Sequence, residues 1–300
     1  MQRVLRAVLM TLGLSTALAQ PVAAQSKKIL FLAGPRDHGG PGRHEYELDL
    51  RTLAASFDKA ANLKGVKTEV IVGRLPRDLA AVREASVIVI NSSSDRSAKE
   101  VHPLFPPDPL TNHRDYDEET KAYLAALDDV LKKNKIGVVV FHYALWAENW
   151  RAREYYMNWT GGLWVQMGSK NPVDEWSMSF ETENHPILRG VKPWTYRDEV
   201  FCRFFLPNDA RRTNLLLATP KEDKARIGPQ IASWAYERDD GGRGFVFGGL
   251  DFRDNLVRED YRRFLMNGIA WAGHIEIPAG GIDSPTPDVS QVSPAVFHRD

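Results

Sequence analysis

Four candidate strands, at 29–33, 66–72, 87–90 and 136–141, most of them solid Val/Ile-rich runs, constrain what this chain can fold into more than any other feature. Runs of this kind suit strands buried on both faces, as in a parallel sheet. Stretches of helical spacing lie between them. Tyr46, Leu50, Leu53, Ala54, Phe57 and Ala61 recur on one helical face, and Gly65 follows as a stop. Tyr123, Leu124, Leu127, Val130 and Leu131 form a second stripe. It is entered through Asp117, Glu118 and Glu119 and left through Lys132 and Lys133, the charge order that suits the helix dipole. Strand–helix alternation predicts an α/β fold: a doubly wound, mainly parallel sheet with helices on both sides.

The second half is richer in strands. Trp176, Met178 and Phe180 alternate with polar residues, the spacing of a half-buried strand. Further strands are expected at 200–206, 214–218, 231–236 and 244–248, with Asp239-Asp240-Gly241-Gly242 as a hairpin tip. A last helix is expected over 258–272, closed by Gly273.

Basic and acidic residues balance at 39 each, so no cationic surplus exists to neutralise phosphates. That argues against nucleic acid as a partner. Residues 1–25 read as a signal peptide: Arg3 and Arg6, an apolar run from Val8 to Ala19, then small residues before two candidate cleavage points. Export to the periplasm or out of the cell is the expectation, and cleavage leaves a net charge of −2. No later stretch is long and apolar enough to span a bilayer. Cys202 is the sole cysteine, so no internal disulfide forms. One α/β domain is expected over 26–282, followed by a Pro/Ser-rich, disordered tail over 283–300. Residues 101–115, with four prolines, read as a long loop.

In open α/β sheets, ligands bind outside the carboxyl ends of the strands. The first such segment runs from Gly34 through His38, three glycines, Arg43, His44 and Glu45 into a helix. Its glycines let backbone approach a ligand, and the helix start offers free N–H donors. It lacks the patterns of a phosphate loop and of a dinucleotide fingerprint. After the third strand come Asn91, three serines and Asp95, which suit a turn or hydroxyl contacts. After the fourth comes His142-Tyr143, placing an acid, base or metal ligand at a buried strand end. Trp146 and Trp150 stand one helical turn apart within an aromatic cluster that suits either a core or a sugar platform. Asp198-Glu199 and Asp251 are carboxylates beside strands, equally suited to acid–base work or to capping. Cys202 has neither an adjacent base nor a strand-to-helix elbow and is a poor nucleophile candidate.

Several segments, in order, carry a family resemblance: KKILFLAG with GGPGRHEYE, FHYA, WTGG, NHPILRGVKPW, RDEVF, WAYERDDGGRGFVFGGLDF and RRFLMNGIAWAGHIEIPAGG. Together, from Lys27 to Gly281, they resemble ThuA-like (trehalose utilisation) domains. The resemblance implies a flavodoxin-like three-layer α/β/α sandwich of the class I glutamine amidotransferase-like kind, with extra strands in the C-terminal half. It implies a carbohydrate substrate, a disaccharide, glycoside or 3-keto-sugar, and no glutaminase cysteine, since none follows the fourth strand. His44-Glu45 and His142-Tyr143 stand where the family pattern has them. Many exported relatives follow the Gly-Gly pair with a histidine-containing stretch. This chain instead reads Gly248-Gly249-Leu250-Asp251-Phe252-Arg253-Asp254-Asn255.

His44, His142, Glu199 and Asp251 are the candidate catalytic groups, and His38, Arg43, Glu45, Tyr143 and Trp146 the candidate substrate contacts. Three functions remain open: His-based acid–base chemistry on a sugar, hydrolysis assisted by a divalent metal such as zinc, and sugar binding without catalysis. The metal lacks support from any local pair spacing. No other cofactor is indicated, and a homo-oligomer is compatible with the sequence.

Overall fold

A computed structural model describes residues 26–96, 102–108 and 115–288. The signal-peptide reading, residues 101 and 109–114 of the proline-rich loop and residues 289–300 of the tail lie outside the described residues. Among the described residues nine strands form one sheet: β1 (Lys27–Ala33), β2 (Val66–Val72), β3 (Val87–Asn91), β4 (Gly137–Phe141), β5 (Val173–Phe180), β6 (Trp194–Glu199), β7 (Arg212–Pro220), β8 (Gln230–Glu237) and β9 (Arg243–Phe247). Their spatial order is β2-β1-β3-β4-β9-β8-β7-β5-β6. The helices are α1 (Tyr46–Asp58), the single turn α2 (Ala80–Arg83), α3 (Glu118–Lys133), α4 (Trp150–Thr160) and α5 (Glu259–Ala272).

Side chains alternate across the strands, so each strand feeds two cores. Phe31, Val89, Val139 and Phe245 pack with Leu53 and Phe57 of α1 and Phe264 and Ile269 of α5. Leu32, Ile90, Val140 and Val246 pack on the other face with Leu124 and Leu127 of α3 and Tyr156 and Trp159 of α4. α3 begins as its sequence suggests, with the Asp117 carboxylate accepting Thr120 N–H at 2.7 Å. α4 is capped by Asn149 and ends at Gly161, whose φ is +70°. A Cβ there would meet the Tyr236 ring at 2.4 Å.

The expectation of a mainly parallel sheet is corrected. β2-β1-β3-β4-β9 pair in parallel, while β9-β8-β7-β5-β6 pair antiparallel. The tight turn between β8 and β9 permits only a hairpin, and the strands beyond it extend the same sheet. The strand expected at 200–206 is also corrected. The strand lies just before it, as β6, because Arg203 takes a positive φ of +52° and breaks the extended run. Phe201 and Cys202 are buried without joining a ladder: Phe201 N–H donates to the Gly248 carbonyl, and Cys202 and Lys170 exchange one isolated pair of backbone bonds. Trp146 and Trp150 do not share a helix face: Trp146 precedes α4 and is buried, whereas Trp150 opens it and is exposed.

At the far end the chain is still tied to the body where it passes Asp283 and Ser284. Asn62 accepts Asp283 N–H, and buried Arg262 donates to the Ser284 hydroxyl and carbonyl. Among the described residues no helix is long and apolar enough to cross a membrane.

Candidate functional site

The chain leaves β1 for the edge strand β2 and then returns to the other side of β1 for β3. That reversal opens a crevice at the strand carboxyl ends. The register keeps those ends level: Ala33 pairs with Asn91, and Phe141 with Phe247. The residues that follow β1, β4 and β9 therefore meet at one rim, and Glu199, the last residue of β6, reaches it as well.

His142, the first residue after β4, is fully buried and sits at a strand-to-turn elbow with φ +48°. His44 (φ +50°) and Leu250 (φ +90°) share this left-handed backbone. Each such position costs about 1–3 kcal/mol and persists only where its surroundings impose it. Here they do. Arg36 donates to the carbonyls of Gly39 and Gly40 at 2.7 and 2.8 Å and pairs with Glu45, which also accepts Gly42 N–H. This staple curls the loop that presents His38, Arg43 and His44. The Asp198 carboxylate accepts backbone N–H bonds from Leu250, Asp251 and Phe252 at 2.9–3.2 Å, fixing the loop after β9. Burial pushes that carboxyl up to about 8 against the pull of those N–H groups.

The four candidate catalytic residues, from four distant segments, converge. His44 Nε2 and His142 Nε2 lie 3.2 Å apart, and Glu199 Oε2 is 3.7 Å from each. His142 Nδ1 faces the Gly248 carbonyl at 3.2 Å. A carbonyl only accepts, so Nδ1 carries the proton and Nε2 of the neutral ring holds a lone pair. His44 Nδ1 lies 3.3 Å from Asp251 Oδ1, an electrostatic approach rather than an aligned hydrogen bond. That carboxylate favours the proton on Nδ1, again leaving Nε2 with a lone pair. Burial, then the neighbouring His142, pushes His44 down to about 3, keeping it neutral. Burial raises the Glu199 carboxyl.

Two lone pairs and a carboxylate oxygen thus face one point. Tetrahedral zinc with bonds of about 2.0–2.1 Å spaces its ligand atoms about 3.3–3.4 Å apart, and the triangle here has edges of 3.2, 3.7 and 3.7 Å. The outer nitrogen of His142 is bonded to a carbonyl and that of His44 faces a carboxylate, the usual kinds of outer partner of metal-bound imidazoles. The donor set fits a divalent ion. Asp251 is engaged elsewhere: Arg43 Nε donates to its Oδ2 at 2.6 Å while a terminal nitrogen of Arg43 reaches Glu199 Oε2 at 3.2 Å.

The candidate substrate contacts divide. His38 stands at the mouth, 54% exposed, stacked on His44 with ring centres 3.8 Å apart. Its Nδ1 contacts Asp37 at 2.7 Å, a bond that raises the His38 pKa. Burial pushes Asp37 up, but His38 and the Tyr46 hydroxyl hold it below the usual range. Tyr143 lies between His38 and Trp146, its hydroxyl raised by burial. Arg43 is 29% exposed and reaches the rim. Glu45 is turned into its own loop, and Trp146 is only 8% exposed. The Trp146 indole packs on Trp164 and donates to Glu148, forming wall rather than platform.

The sequence reading passed over Arg36, Asp37 and Asn171. Asp37 adjoins His38 and Arg36 opens the glycine loop, so both had a positional signal. Asn171, which donates to Glu199 Oε1 at 2.9 Å, had none. The only cysteine, Cys202, is buried and its thiol is pushed up to about 12 by burial. A hollow of about 520 Å³ lined by Lys27, Arg83, Lys135 and His274 opens at the opposite end of the strands, away from this cluster.

The ThuA family, described as trehalose utilisation, matches residues 110–272, more than half of the chain. That stretch holds His142, Glu199 and Asp251, while His44 precedes it. No curated protein matches the chain. Among solved structures, one similar chain is a glutamine amidotransferase from Thermotoga maritima: 11% identity, TM-score 0.42, 83% of this chain and 99% of that chain covered. Another, from Methylobacillus flagellatus, has 14% identity and TM-score 0.35, with 75% and 70% covered. The glutaminase domain of CTPS from Trypanosoma brucei has 9% identity and TM-score 0.40, with 88% and 98% covered.

Proposed function

The chain belongs to the ThuA, trehalose utilisation, family, and from that premise we propose that it is an enzyme of carbohydrate metabolism with a divalent metal, such as zinc, held by His44, His142 and Glu199. The observation that carries this reading is the triangle of two imidazole lone pairs and one carboxylate oxygen, with edges of 3.2, 3.7 and 3.7 Å. When bound, such an ion polarises a carbonyl or hydroxyl oxygen of the sugar.

The chain's own groups do the rest. Gly248 and Asp251 orient the two imidazoles. Arg43 holds Asp251, touches Glu199 and reaches the rim, where it can stabilise a developing oxyanion. His38 and Tyr143 line the mouth, where a sugar hydroxyl meets them first. The substrate is a disaccharide, glycoside or 3-keto-sugar, and the protein works in the periplasm or outside the cell after losing residues 1–25. The fold is read as flavodoxin-like, of the class I glutamine amidotransferase-like kind. Thiol chemistry is disfavoured, since a histidine occupies the elbow after β4 and Cys202 is buried.

A second reading has its own support: 3.2 Å between Nε2 atoms is also the length of a hydrogen bond, which forms where one of the two rings carries its proton on Nε2 instead of Nδ1. The protein would then act by acid–base chemistry alone. One experiment separates these. Metal content is measured on purified protein, with turnover of trehalose, other disaccharides and their 3-keto forms before and after chelation. The metal reading expects one ion per chain, and His142→Ala loses both ion and turnover while remaining folded. Metal-free protein that turns over sugars despite chelator moves the conclusion to the second reading. Calorimetric sugar binding without turnover makes the chain a binding protein and removes both.

A further inference from the structure

We propose that Asn171 is a positioning residue that sets the affinity of the metal site by deciding which way Glu199 faces, an inference that rests on the metal reading above. Its side-chain amide donates to Glu199 Oε1 at 2.9 Å. That bond leaves Oε2 facing both imidazoles at 3.7 Å.

The bond matters because Glu199 has a competing partner. The last torsion of a glutamate is broad, so the side chain has no strong preference of its own for where its oxygens point. Arg43 already reaches Oε2 at 3.2 Å, and a guanidinium fork is shaped to take both oxygens of one carboxylate. Without a second anchor, Glu199 can roll toward Arg43 and away from the histidines. Asn171 is that anchor, and its own backbone is fixed on both sides. Lys170 and Cys202 exchange backbone bonds of 3.1 and 2.8 Å, and Val200 N–H reaches the Pro172 carbonyl at 3.2 Å. An exposed asparagine held this rigidly acts as a stop for the carboxylate.

The test measures zinc affinity of the metal-free protein by competition with a chromophoric chelator, and melting of the same protein without metal. Asn171→Leu, close in size but without the donor, should bind zinc about 10–100-fold more weakly, with unchanged melting of the metal-free form. Asn171→Gln, which restores an amide one methylene further out, should recover part of the loss. Asn171→Leu binding zinc as tightly as the wild type overturns the inference and leaves the metal reading intact. Lowered melting at unchanged affinity also overturns it, since the role would be structural only. A wild-type protein that takes no zinc overturns the metal reading and this inference with it.

Discussion

Replacing Gly248 with alanine should force apart two segments directly beneath the site. A Cβ built there meets the Phe201 carbonyl oxygen at 2.2 Å and the Phe204 ring at 3.0 Å. The Phe201 contact falls about 1.2 Å short of an ordinary 3.4 Å approach, and its nearest atom is backbone, which cannot swing aside. The same opening stretches the 2.9 Å bond from Phe201 N–H to the Gly248 carbonyl beyond hydrogen-bond range. Overpacking of this kind costs about 1–3 kcal/mol, and the lost bond adds about 1. The combined loss of about 2–4 kcal/mol corresponds to a Tm drop of about 5–15 °C in a domain of this size. The Gly248 carbonyl also orients His142, and Phe201 packs edge-on against that ring at 4.6 Å, so zinc affinity should fall as well. Thermal unfolding by circular dichroism and a zinc titration read the two effects. A variant melting within about 2 °C of wild type, a shift worth under about 1 kcal/mol, with unaltered zinc affinity, would refute the account of how this rim is assembled.

Asp198→Ala should destabilise the fold by about 3–5 kcal/mol, because buried N–H groups of Leu250 and Asp251 and part-buried ones of Phe252 and Glu199 lose their acceptor; a wild-type urea midpoint would argue that this carboxylate holds nothing. Cys202→Ala should keep full turnover with a stability loss of about 1 kcal/mol, and a variant without turnover would restore a thiol mechanism. Burial, then the charge of Arg74, pushes His102 down to about 3, while its Nδ1 accepts N–H bonds from Leu104 and Phe105. The unfolded chain therefore binds the extra proton between about pH 6.5 and 3. Stability from this group is complete above pH 6.5 and falls as the pH drops, with a slope of at most about 1.4 kcal/mol per unit. His102→Asn, which keeps an acceptor but does not titrate, should flatten urea-unfolding free energy between pH 7 and 5; an unchanged slope would contradict the assignment.

The parallel half was legible because strands buried on both faces write continuous apolar runs, as at 29–33 and 87–90. Capping and dipole signals then bounded α3 to within a residue. The antiparallel half was legible as strands but not as part of the same sheet, since alternation at Trp176, Met178 and Phe180 says which face is buried and not which edge is extended. The run at 200–206 misled because its apolar content serves the floor of the site, where a positive φ at Arg203 ends any ladder. His44 and His142 were readable from position, as the groups leaving β1 and β4. Their approach to Glu199 was not, because it depends on where β6, at the far edge of the sheet, brings its last residue. Asn171 gave no local sign at all; its importance comes only from the neighbour it touches.

The change of strand direction at β9 has a consequence for how this protein can be divided. His44 and His142 come from the parallel side, Glu199 from the outermost antiparallel strand, and Asp251 from the loop after the seam strand itself. No fragment cut between α4 and β5 carries a full donor set. Ion capture would therefore be an all-or-nothing reporter of native assembly, and an ion bound there would act as a further clasp between two stretches of chain that already meet through backbone pairing, the shared cores and the Arg43 bonds to Glu199 and Asp251.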